Sequence, residues 1–218
     1  MLKKFFPLLL FPLALWSQID RSGDFQIWSW NFVSYQINPE WMLLSMVEFR
    51  AGDDASKIYR TSLSVEPVYT PVQWIGLAPG YRQSWSRVPV NSKHWKPEYT
   101  PFGDLFFFLF PGKWELVNRN RIEYRIRKND PIHWVYRNRL RIILPWAFTS
   151  LQINPFIENE IFIRQRRGLN EDRLTAGLLS NIYKNLSGEI SYMARFQKQL
   201  SGTWIHQNVL NIVLFLAF

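Results

Sequence analysis

The residues in this chain best suited to chemistry are arginines and glutamates that recur at every second position. Between 114 and 127, Glu115, Val117, Arg119, Arg121, Glu123, Arg125 and Arg127 take the odd positions, while Trp114, Leu116, Asn118, Asn120, Ile122, Tyr124 and Ile126 take the even ones. The segment 132–144 repeats the pattern, with Val135, Arg137, Arg139, Arg141 and Ile143 alternating with Trp134, Tyr136, Asn138, Leu140 and Ile142. A helix would scatter these charges round its axis, whereas a strand, with its period of two, gathers them on one face. Guanidiniums so gathered can pair with carboxylates in a network that fills a narrow barrel, and an excess of them can bind or pass an anion.

Glu158 and Glu160 supply carboxylates at the same spacing, and a short turn at 145–149 would bring them beside Arg137. Folding the preceding hairpin about 128–131 would set Arg119, Arg121 and Arg125 near Arg141, Arg139 and Arg137, a wall of like charge that needs carboxylates or anions between its members. Glu48, Arg50, Glu66, Arg173, Glu189, Arg195 and Gln197 are further candidates for the same interior. Paired carboxylates also occur in hydrolases, but clustered arginines suit ion pairs better than a general acid that must hold its proton.

Other chemistry finds little support. The chain has 3 His and no Cys, which excludes disulfides, thiolate nucleophiles and Cys-ligated metals. His94 and His133 sit beside Trp95 and Trp134, as interfacial anchors do, and His206 shares a face with Trp204 and Asn208. For a lipid-modifying enzyme, His206 with Ser191 or Ser201 is the best available pair, though no spacing marks it as catalytic. The acids at Asp53-Asp54 and Glu171-Asp172 lack the ligand count of a dedicated Ca²⁺ loop. No catalytic residue, metal ligand or cofactor is therefore assigned.

Composition points to a membrane interface. Aromatic residues make up 17% of the 218, with 11 Trp, far above soluble usage. The formal charge of +9 would fit a nucleic-acid binder, but the basic residues alternate with apolar ones along strands instead of clustering on a helix or tail. Lys3 and Lys4, the apolar run Phe5–Trp16 and a small residue at Ser17 read as a cleaved export signal over 1–17, leaving 18–218 as one domain. Beyond it no stretch approaches the ~20 apolar residues of a transmembrane helix.

Alternating segments predict strands at 24–37, 41–51, 57–69, 72–84, 98–110, 113–127, 132–144, 150–164, 171–183, 187–199 and 203–218. Such lengths match the ~9–11 residues that cross a bilayer at a tilt. Tight turns at 38–40, 70–71, 111–112, 145–149 and 185–186 alternate with longer loops at 52–56, 85–97, 128–131 and 164–170, and only 200–202 breaks the rule. This predicts an all-β, transmembrane, antiparallel up-and-down barrel. Arginine facing lipid at mid-bilayer costs ~2–4 kcal/mol, so the charged faces turn inward. Because bacterial single-chain barrels have even strand numbers, eleven segments imply twelve strands, with one hidden in 85–97, or else ten. Phe102, Phe106, Phe107, Phe108 and Phe110 would plug part of the lumen, which disfavours a wide pore.

The final segment, with Trp204, His206, Asn208, Leu210, Ile212, Leu214, Leu216 and Phe218 on one face, resembles the C-terminal assembly signal read by the barrel-insertion machinery. Asn118-Arg119-Asn120-Arg121-Ile122-Glu123, Tyr136-Arg137-Asn138-Arg139-Leu140-Arg141 and Pro155-Phe156-Ile157-Glu158-Asn159-Glu160 together resemble the domain-of-unknown-function family 2490, as do Glu48-Phe49-Arg50 and Gly80-Tyr81-Arg82. The resemblance implies an exported outer-membrane barrel of Gram-negative-type bacteria without assigned activity. Its expected partners are outer-membrane lipids and the insertion machinery, not nucleic acid. Its interior network comprises Arg119, Arg121, Glu123, Arg125, Arg137, Arg139, Arg141, Glu158 and Glu160.

Overall fold

The computed structural model describes residues 21–87, 92–128, 130–149 and 152–218; the predicted export signal lies outside them. Eleven strands follow one another: β1 (Phe25–Gln36), β2 (Trp41–Gly52), β3 (Lys57–Val72), β4 (Ile75–Ser86), β5 (Lys96–Leu109), β6 (Glu115–Arg127), β7 (His133–Ile143), β8 (Asn154–Arg164), β9 (Gly168–Tyr183), β10 (Leu186–Lys198) and β11 (Trp204–Ala217). Each pairs antiparallel with its sequence neighbours, and β1 pairs with β11 to close a barrel.

The closing pair corrects the expected strand number. With eleven strands the first and last run the same way, and β1 and β11 form a parallel ladder from Phe25↔Asn208 to Ser34↔Ala217. Flanking backbone bonds continue it: Gly23 N–H donates to His206 O (2.7 Å) and Phe218 N–H to Ser34 O (2.9 Å). An even number is required only where closure must be antiparallel; a parallel ladder also satisfies its backbone groups. No twelfth strand is found among the described residues of 85–97, where Arg87 and 92–95 are irregular and 88–91 lie outside the description.

Two connections also differ from expectation. The segment 144–153, read as a tight turn at 145–149, is among the longest, with an isolated bridge between Phe148 and Ile153, so β8 starts at Asn154. The segment expected as a long loop at 164–170 shrinks to 165–167, because Gly168 to Asn170 already belong to β9. The predicted turn at 70–71 is still strand, and the chain reverses at 73–74.

Period-two alternation sets the faces. On β6, Arg121 and Glu123 are buried while Ile122, Tyr124 and Ile126 are exposed; on β10, Glu189, Ser191, Met193 and Arg195 are buried between exposed Ile190 and Tyr192. The barrel thus carries its polar groups inside and much of its apolar area outside, the reverse of a soluble domain. Inside, large residues lie over small ones in neighbouring strands. Phe102 pairs with Gly80 and Phe156 with Gly177. A Cβ on Gly80 would come within 2.3 Å of the Phe102 ring, and one on Gly177 within 2.3 Å of Ser191 Cβ and 2.8 Å of the Phe156 ring.

Candidate functional site

The β6–β7 register sets arginine directly against arginine: Arg119 opposite Arg139, and Arg121 opposite Arg137. This is offset by two residues from the hairpin expected at 128–131, which placed Arg119 near Arg141 and Arg121 near Arg139. The ladder ends at Arg125↔His133, so Ile126 and Arg127 run past the start of β7 without a partner on it, and the pairing moves by two. Like charges opposed on one face repel, so the carboxylates around them decide whether the wall holds.

Those carboxylates come from three sides. Glu160, on β8, accepts from Arg119 Nη2 (2.6 Å), Arg137 Nη2 (2.7 Å) and Arg173 Nη1 (3.1 Å). Glu123 accepts from Arg137 Nη1 (2.6 Å), Arg125 Nη2 (2.7 Å) and Arg82 Nη2 (3.1 Å). Arg121 meets Asp104 in bidentate fashion, Nε to Oδ1 at 2.6 Å and Nη2 to Oδ2 at 2.5 Å, and reaches Glu66 at 3.1 Å. Arg141 donates to Glu158 (2.7 Å) and to Glu189. Fork-to-fork geometry and sharing of one carboxylate by several guanidiniums are what such pairs need once water is gone.

A second, drier layer lies toward the end where β1 begins. Asp24, Gln26, Glu48, Glu98, Glu123 and Gln207 are no more than 1% exposed. Trp28 Nε1 and Tyr59 Oη both donate to Gln26 Oε1 (2.9 Å each), and Gln26 Nε2 donates to Asp24 Oδ2 (2.8 Å). Burial pushes the Asp24 carboxyl, just ahead of β1, above the usual carboxylate range. The Arg50 guanidinium stacks 3.6 Å from the centre of the Trp28 ring. Side chains close the lumen at this level.

Beyond that layer, toward the end where β11 finishes, the lumen holds a cavity of about 230 Å³. Phe32, Leu44, Phe106, Arg141, Glu189 and Phe215 border it near that rim. Its two walls differ. Strands β1, β2, β10 and β11 present Trp28, Trp30, Met46, Met193, Val213 and Phe215; β6, β7 and β8 present Arg119, Arg121, Arg137, Arg139, Arg141 and two glutamates.

A family model described as a protein of unknown function (DUF2490) matches residues 25–206, nearly the whole of this barrel. The chain belongs to the DUF2490 family. No curated protein and no solved structure matches it.

Within the DUF2490 barrel, five charged residues of the network were not singled out from sequence as lining the lumen: Arg60, Arg82, Glu98, Asp104 and Glu171. Arg60 bonds Ser84 and Glu98, Arg127 also bonds Glu98, and Glu171 holds Arg173 (2.7 Å) and Arg195 (2.7 Å). Glu98, Thr100, Phe102 and Asp104 do alternate on β5, but the phenylalanines that follow on both faces obscure the period.

Parity separates the residues considered for an enzyme. Ser191 points into the lumen, accepting from Asn211 Nδ2 (3.4 Å), while His206 points outward with Nε2 3.2 Å from Asn208 Oδ1. Ser201 lies in the β10–β11 connection, bonded to Thr203. The acidic pairs divide as well: Glu171 faces inward, whereas Asp172 accepts from Asn159 Nδ2 on the outside (2.7 Å), and Asp53 pairs with Lys57. Among the described residues, no group of three or more His, Asp or Glu is placed to hold a metal ion.

Outside the charged wall, the three asparagines of β6 and β7 satisfy one another. Asn120 Nδ2 donates to Asn118 Oδ1 (2.8 Å), Asn138 Nδ2 to Asn120 Oδ1 (2.9 Å), and Tyr136 Oη to Asn120 Oδ1 (2.6 Å).

Proposed function

We propose that this DUF2490 chain is an integral outer-membrane β-barrel, exported by its N-terminal signal and inserted with the help of the C-terminal segment Leu214, Leu216 and Phe218. Its lumen is closed to bulk flow, and its role is structural or the handling of a small anion. The observation that carries the reading is the inversion of faces on a closed barrel: twelve arginines line or enter the interior network, while Ile122, Leu140, Leu174 and Ile190 stand 40–52% exposed on the outside. Such a surface is costly in water and favourable in hydrocarbon, where a closed barrel leaves no unpaired backbone. A filled lumen follows from the buried network and from Trp28, Phe102, Phe156 and Phe162, all under 7% exposed.

Two measurements test this. After cell fractionation the protein should require detergent for extraction and migrate faster unboiled than boiled on a denaturing gel; release by osmotic shock alone would overturn the membrane assignment. In a planar bilayer, purified protein should give little or no steady conductance, and stable porin-like currents would overturn the closed lumen.

A further inference from the structure

We propose that the lumenal cavity is a binding site for a small amphipathic carboxylate, such as a medium-chain acyl or monocyclic aryl acid. Its head group would sit between Arg119 and Arg139, and its apolar body would lie against Trp30, Met46 and Phe215. The inference rests on the closed-lumen reading above, because an open pore would hold no such ligand in place.

Charge favours an anion in this cavity. Seven arginines and four glutamates border the cavity, an excess of three positive charges. The network as a whole shows the same excess, with twelve arginines against nine acids. The shortfall is most visible at Arg139. It reaches Glu158 Oε2 only at 3.8 Å, too long for a hydrogen bond, and its Nε has no hydrogen-bond partner. Directly opposite, Arg119 spends Nη2 on a glutamate already shared with Arg137 and Arg173, and its Nε too is unpartnered. A carboxylate here would separate two like charges and accept from the terminal Nη groups of Arg139, which no protein acid reaches.

Shape and polarity narrow the ligand further. An inorganic anion would use the charged wall alone and leave the opposite wall against water. That opposite wall is aromatic and aliphatic, so a ligand filling the cavity must be apolar on one side. Size sets the class: a cavity of about 150 Å³ lined by apolar side chains takes up benzene. The volume of about 230 Å³ here adds room for a carboxylate and a short spacer, or for a chain of comparable bulk.

Titration calorimetry on the full-length barrel in non-ionic detergent, with sodium octanoate as probe and octanol as its neutral counterpart, decides the matter. Saturable one-to-one binding of octanoate is expected, with octanol weaker by roughly tenfold or more, as loss of a charge-assisted bond implies. Arg139→Gln should weaken octanoate by a similar factor while leaving heat-modifiable mobility intact. If that variant does not fold, Met46→Trp, which keeps every charge and fills the apolar side, should abolish binding. No saturable binding to a barrel that is folded and non-conducting would overturn the inference alone, leaving the closed-lumen reading standing. Binding unchanged in a folded Arg139→Gln barrel or in Met46→Trp would also overturn it, as would equal competition by chloride, which would mark a site for inorganic anions only.

Discussion

The two walls of the lumenal cavity are built on the same strand geometry yet hold together by different means. Around the parallel β1–β11 seam, Trp28, Met193 and Val209 form an apolar cluster, with Trp30 packed against it. Across the lumen, β6 and β7 bring arginine opposite arginine, so that side of the barrel depends on carboxylates delivered by its neighbours: Glu160 from β8, and Asp104 from β5. The seam wall loses stability in increments of buried area. The charged wall fails when one shared carboxylate is removed, because several guanidiniums are then left buried without a partner.

The largest effect is therefore expected from Glu160→Gln. One carboxylate serves Arg119, Arg137 and Arg173, and its neutralisation should lower stability by about 3–5 kcal/mol, read as a lower denaturant midpoint of the folded, fast-migrating form. Trp28→Ala attacks the other wall. It removes a side chain with no exposed surface and a stacked arginine, and should cost about 3–5 kcal/mol as well. The contrast lies in the conservative replacements: Trp28→Phe should recover much of the loss, whereas Glu160→Asp, too short to reach all three arginines, should recover little. Equal recovery in both would erase the distinction between the walls.

Gly177→Ala should come next. The added methyl meets the Phe156 ring and Ser191 Cβ well inside contact distance, so overpacking of about 1–3 kcal/mol is expected. The same change at Gly103, whose Cβ would meet nothing within 4 Å, should be close to neutral by the same unfolding assay.

Much of this contrast can be read along the chain. Alternation in 114–127 and 132–144 identifies the inward arginines, because a period of two is a local property of the strand. The inward placement of Glu48, Glu66, Arg173, Glu189 and Arg195 follows from the same rule. What alternation cannot supply is the partner across the barrel. The parallel meeting of β1 with β11 joins the two ends of the domain, and no turn between them records its direction. Register is similarly remote: a shift of two positions moves every arginine pair of β6 and β7 without changing a single facing direction, so alternation alone does not choose between the two alignments. Asp104 and Glu98 escaped because their strand runs into phenylalanines on both faces, so the alternation is lost where it is needed. The cavity itself, a product of strands from both halves of the chain, has no local signature.

The outer side of the charged wall offers the finest test. Asn118, Asn120 and Asn138 would be costly in hydrocarbon as isolated amides, but here they bond one another and Tyr136. Asn120→Leu alone should cost about 1–3 kcal/mol, since Tyr136 Oη loses its acceptor and Asn138 Nδ2 keeps only the longer bond to Asn118 Oδ1 (3.3 Å). Replacing the three asparagines by leucine together with Tyr136→Phe removes donors and acceptors in one step and should be near neutral, because nothing polar is stranded. The comparison of single and quadruple variants, by denaturant midpoint in lipid vesicles, separates two surroundings for this face. In hydrocarbon the quadruple change recovers what the single one loses. If the quadruple variant instead loses stability or aggregates, the face is in contact with water or protein, and the apolar exterior then requires an explanation other than the bilayer.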